Sequence, residues 1–238
     1  MQIAPDPTSG PRPGLLISAL ALVLLAWDAT GLDLQLAHAF GGTAGFALRD
    51  NWFLYRVLHE GGRHASWLVV LCLCLAVWWP VGFLRRLGAG ERLQLAVTTL
   101  LALLAVSALK SSTGISCPWD LAEFGGVARH ASHWTQILAA DGGGGRCFPA
   151  GHASAGFAFA GGWFVFRRSS PRIARAWLAA ALAAGFTFGI AQQMRGAHFM
   201  SHTFWTAWLC WTVAWLVDAA WPRAAAAGAT ATSSGEPA

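Results

Sequence analysis

The residues of this chain that could carry chemistry gather in three short clusters, each at the end of an apolar run. The first is Lys110-Ser111-Ser112-Thr113-Gly114-Ile115-Ser116-Cys117-Pro118, which holds the only lysine. The second is Phe148-Pro149-Ala150-Gly151-His152, and the third runs from Gln192 through Arg195, Gly196 and His198 to His202. A neutral imidazole is a competent nucleophile near neutral pH, and its protonated form is a competent acid. Each cluster also has a plainer reading. A lysine at a span end snorkels to the interface, and Pro-Ala-Gly-His reads as a turn before a helix. His198 and His202, spaced i and i+4, share a face if both are helical, a spacing that also suits a metal pair.

The elements that must position these clusters follow from composition. Of 238 residues, 55% are hydrophobic and only 11% charged, with a mean hydropathy of +0.48 and a formal charge of +5. A soluble domain averages about 25% charged, so a disordered chain, a nucleic-acid module and an ordinary cytosolic enzyme are excluded as first readings. Apolar runs at 15–27, 67–84, 93–109, 153–166, 174–191 and 204–221 predict six membrane spans. Arg85, Arg86 and Arg92 lie between the second and third runs, and Arg167, Arg168, Arg172 and Arg175 between the fourth and fifth. With Arg12 and Arg223 near the ends, the positive-inside rule places both termini in the cytoplasm, in a bacterial inner membrane. All eight histidines and the three clusters then fall on the outer, periplasmic side. The expected fold is therefore all-α: a polytopic bundle of six transmembrane helices over 1–223 with its active site at the outer face, followed by a disordered tail, 224–238. Irregular backbone is not tolerated in open lipid, so chemistry belongs at span ends. The fourteen tryptophans suit interfacial belts. Residues 32–66 mix aromatic and basic side chains at near-helical spacing and predict an interfacial amphipathic helix.

In order and spacing the three clusters resemble the type-2 phosphatidic-acid phosphatase superfamily of membrane lipid phosphatases. That family carries Lys, six residues, Arg-Pro; then Pro-Ser-Gly-His; then Ser-Arg, five residues, His, three residues, Asp. Lys110 and Pro118 match the first motif, Pro149, Gly151 and His152 the second, and His198 the third. Cys117 stands where the family has Arg, Ala150 where it has Ser, Ala191 and Gln192 where it has Ser-Arg, and His202 where it has Asp.

The resemblance implies that His198 attacks phosphorus, that His152 protonates the leaving oxygen and that Lys110 clamps the phosphate. Amides around Gly151 would add N–H donors. Arg195, one helical turn from Gln192, and Arg146, six residues before His152, are the candidates to replace the missing arginines. Arg129, His130 and His133 share the outer loop and read as solvated. No cofactor or metal is implied, since Lys and Arg supply the positive charge. The implied partner is a lipid phosphate or pyrophosphate within the membrane, not nucleic acid. Cys117 and Cys147, each beside a motif, form a candidate disulfide, permitted in the periplasm; Cys72, Cys74 and Cys210 read as apolar packing. Two other readings stand beside this one: an altered member that binds a phospholipid or transfers its phosphoryl group without hydrolysis, and a metal protein using His152, His198 and His202. The second leaves Lys110 repelling the ion. His202, in the carboxylate's place, could orient His198 only while neutral. Activity is therefore expected to fall on acidification through the titration of His202, and a His202→Asp variant that lowered phosphate release would count against the orienting role.

Overall fold

The computed structural model describes residues 13–132, 134, 139 and 141–222. Arg12, His133, Arg223 and the tail from 224 lie outside the described residues.

The chain is mostly helical, and each helix boundary has a local cause. Helix α1, Pro13–Asp28, starts on a proline, whose missing N–H is no loss at a first turn. Gly31, at φ 69°, turns the chain into α2, Leu32–His38, with the two axes bent by 61°. A two-residue hairpin, Gly41–Gly42 against Gly45–Phe46, follows. A nine-residue π-helical stretch, Phe53–Gly61, then runs into α3, Gly62–Leu75, with Gly61 and Gly62 both right-handed helical. Helix α4, Ala89–Ser112, starts where the Glu91 carboxylate accepts the Gly88 N–H at 2.8 Å. Helices α5 (Ser154–Phe157) and α6 (Gly161–Phe166) are joined by a 3₁₀ turn into one apolar helix, 154–166. Pro171 opens α7, Pro171–Met194, and α8 spans Met200–Ala220.

Two expectations are corrected here. The apolar run 67–84 is not one helix. Its helix begins earlier, at Phe53, and ends at Leu75, because the chain turns over 76–79 and meets Pro80. Nor do residues 32–66 form one interfacial helix; they divide into α2, the hairpin and the π-helical stretch.

Helices α4 and α7 are long and apolar enough to cross a membrane, and the bent pair α1–α2 makes a third if it counts as one span. The chain is thus a helical membrane protein with two to three such helices among the described residues. The helix 154–166 is shorter than a span. Helix α8 has the length, but four tryptophans, Asp218 and the polar start Ser201-His202-Thr203 dilute its apolar character. Leucines such as Leu15, Leu22, Leu68 and Leu104 face outward, as lipid contact requires. At the end of α4 far from Lys110, buried Asp218 accepts from Gln94 at 3.1 Å and from Arg167 at 2.8 Å.

The core is closed by small residues. Helices α5 and α6 pack on α7, and α4 on α8. Gly156 lies against the backbone of Gly185, and Gly189 against the Thr203 side chain. Where lipid replaces water, close backbone packing of this kind stands in for the hydrophobic effect between helices. A Cβ at 156 would meet the Gly185 backbone, which cannot swing away. Gly156→Ala is expected to cost about 3 kcal/mol and to lower the melting temperature in detergent. Gly90→Ala, which meets no atom within 4 Å, is expected to be neutral or slightly stabilising.

Candidate active site

A seam of backbone bonds brings the first cluster to the second. Beyond α4 the chain becomes extended at Thr113. Thr113 Oγ1 donates to the Phe148 carbonyl at 2.8 Å, Arg146 N to the Thr113 carbonyl at 2.9 Å, and Cys147 N to the Ile115 carbonyl at 2.8 Å. Cys117 is bonded to Cys147 across the same seam, with Cα atoms 5.1 Å apart. Buried Asp141 accepts from the Ser116 N–H at 2.7 Å and from its hydroxyl, holding the loop closed behind the seam. Ala150 joins the second cluster to the third: its N–H donates to the His202 carbonyl at 3.3 Å, and its carbonyl accepts from Thr206 at 3.2 Å.

The third cluster is shaped by the end of α7. Gly196, at φ 76°, donates to the Gln193 carbonyl at 2.9 Å, and Ala197 N to the Gln192 carbonyl at 2.8 Å. This is a Schellman ending, in which glycine takes the left-handed position. It leaves His198 in the short turn before α8, and only His202 lies in α8, so the two do not share a helical face through the i, i+4 spacing. Their rings still approach, with centroids 5.7 Å apart. His202 is 1% exposed, edge-on to Phe148 and Phe199 at 5.2 and 5.5 Å.

His198 is 4% exposed, and its Nδ1 lies 3.7 Å from Cys147 Sγ. A bonded sulfur has no proton, so only the ring can donate across this contact. A hydrogen bond there requires the Nδ1–H tautomer, whose lone pair lies on Nε2. The Lys110 stem crosses Gly151 so closely that a Cβ there would stand 3.2 Å from Lys110 Cδ. His152 opens the helix 154–166 and borders a cavity of about 520 Å³ between α3 and α4, lined by Arg63, Trp67, Leu100, Leu103 and Leu104.

Arg195 is buried; its Nε donates to the Arg49 carbonyl at 2.8 Å and its Nη1 to Gln192 Oε1 at 3.0 Å. An arginine thus stands against the glutamine that replaces the family's own. Arg146 is exposed and left-handed at φ 57°, and its side chain makes no hydrogen bond or ion pair among the described residues. Arg129 bonds through its N–H to the Asp141 carbonyl, and His130 packs edge-on to Phe199 at 5.6 Å. Among the described residues no group of three His, Cys, Asp or Glu is placed to hold a metal ion.

The site is electropositive and short of water. Burial first, then Lys110, His202 and His152, holds His198 well below the usual imidazole range, with the Cys147 backbone acting weakly the other way. Burial, then His59, Lys110, Arg63 and Arg195, pushes His152 down to about 3. Both rings are therefore neutral near pH 7.

Motif reading missed Tyr55, His59 and Trp119. The His59 ring lies on His152, Arg195 covers Tyr55 at 5.0 Å, and Arg49 covers Trp119 at 4.6 Å. The only hint in the sequence was the mix of aromatic and basic residues over 49–63.

A family model, the PAP2 superfamily, matches residues 91–225, more than half of the chain and all three clusters. The chain belongs to this superfamily, whose members are generally phosphatases; at that level it is a phosphoric-ester hydrolase. No curated protein and no solved structure matches it.

The neutral rings carry a stability cost with a definite sign. Below about pH 6.5 the unfolded chain takes up protons that folded His152 and His198 refuse. Stability is expected to be full above that pH and to fall on acidification toward the lowered folded values. Melting temperatures in detergent between about pH 8 and about pH 5 check this; a flat or rising profile toward acid would refute it.

Proposed function

We propose that this protein is an integral-membrane lipid phosphate or pyrophosphate phosphatase working through a phosphohistidine. The carrying observation is that His198 lies within electrostatic reach of Lys110 and His152, and that His152 borders a cavity lined by Trp67, Leu100, Leu103 and Leu104 together with Arg63. A phosphate at Lys110 places its ester substituent toward His152, and a lipid tail has an apolar cleft to follow. Opposite to the arginines at 85–92 and 167–175, the site faces the periplasm.

His198 Nε2 attacks phosphorus and the bond from phosphorus to the lipid oxygen breaks. The leaving oxygen takes its proton from His152, whose protonated form is favoured once the phosphate's negative charge lies in the site. Lys110, Arg195 and the Gly151 amide stabilise the equatorial oxygens. His152, now neutral, takes a proton from water, which displaces His198 and releases inorganic phosphate.

The test is phosphate release in detergent, without added metal, from phosphatidic acid, phosphatidylglycerol phosphate, a polyprenyl pyrophosphate and lipid A. His198→Ala is expected to lose at least about a thousandfold in rate. Bonded Cys117, Ala150 and His202 in place of Arg, Ser and Asp favour one second reading, the altered member. Lipid binding with no release from any substrate would select it.

A further inference from the structure

His59 lies outside the three motifs, on the π-helical stretch Phe53–Gly61, yet its ring is the nearest neighbour the structure gives to the general acid. The His59 and His152 rings stack with centroids 3.7 Å apart and planes 28° from parallel. Tyr55, four residues earlier and so on the same helical face, lies 5.4 Å from His59 at 19°. The Arg195 guanidinium covers Tyr55 in turn, so that the groups run Arg195, Tyr55, His59, His152. π-helical turns recur at functional sites, where the widened turn re-aims side chains.

Two further observations give the stack a task. His152 Nε2 and His59 Nδ1 are buried without a hydrogen-bond partner among the described residues. No hydrogen bond holds His152 at Nε2, and the His59 ring packs against its face. At 3.7 Å the two imidazoles also cannot both be charged without strong repulsion, so they titrate as a pair.

We propose that His59 is a positioning residue for protonation of the leaving group, holding the His152 ring in its delivery orientation and keeping the pair to a single proton. This rests on the phosphatase reading for its chemistry, but not for its geometry. His152 faces Lys110, Arg63 and Arg195 besides His59, and lies close enough to act on His198; His59 faces Tyr55, Glu60, Arg63 and Arg195. Removing His59's charge while keeping its ring therefore leaves the other cations in place and isolates its contribution.

The experiment follows the histidine ring signals by NMR in the full-length protein in detergent, comparing wild type with His59→Phe. His152 is expected to take up its proton at higher pH in the variant; an unchanged His152 titration would overturn the proposal. The readout needs no turnover, so it decides even if wild type hydrolyses nothing, an outcome that would defeat the functional reading alone. Where phosphate is released, His59→Phe is expected to move the basic limb of kcat to higher pH. His59→Gln, which keeps polarity and loses the stack, is expected to lower kcat on the order of tenfold, with KM within about twofold. Equal loss in kcat/KM through KM alone would count against positioning. Should His59→Phe fail to fold, the His152 titration in His59→Gln decides the same point.

Discussion

The constraint on which this structure depends is the backbone seam that runs from Thr113 to Phe148 and from Ala150 to His202. Three segments far apart in the chain must meet at the end of a helical bundle, where water is scarce and every backbone polar group needs a partner. The seam answers both needs at once. It ties Thr113 and Ile115 to Arg146, Cys147 and Phe148, and it brings Lys110, His152 and His198 within electrostatic reach of one another. The Cys117–Cys147 bond crosses it at the point where the family places a cation.

A site in which cations and imidazoles surround His152 and His198, while Glu60 and Asp50 act on His59 and Arg195 instead, has electrostatic consequences. Buried beside Lys110 and one another, the histidines stay neutral. A neutral imidazole keeps a lone pair, and an anion entering beside these rings would raise their proton affinity. The stacked His59 extends that electrostatic group beyond the motifs.

Two features govern how lipid and helix meet. Glycines at 156, 185 and 189 let helices approach to backbone distance, which draws the second and third clusters together. On the α3–α4 side the packing is looser, and the cavity bordered by His152 opens among leucines. Tight packing holds the three clusters together, while the looser side leaves a largely apolar cleft.

The sequence by itself determined the helical membrane class, through its low charge and long apolar runs, and located the three clusters, because each keeps its spacing within one segment. It also pointed to Arg195 and to the pairing of Cys117 with Cys147 through their closeness to the motifs. Residues 67–84 misled, because hydropathy cannot tell a helix from an apolar turn before Pro80. Only the tertiary structure decided how the turn before His198 is built, since a Schellman ending depends on the dihedral of Gly196. Only it brought His59 onto His152, which stand 93 residues apart in the chain. Ring stacking depends on two helices meeting in register, and a local pattern of residues holds no record of that meeting.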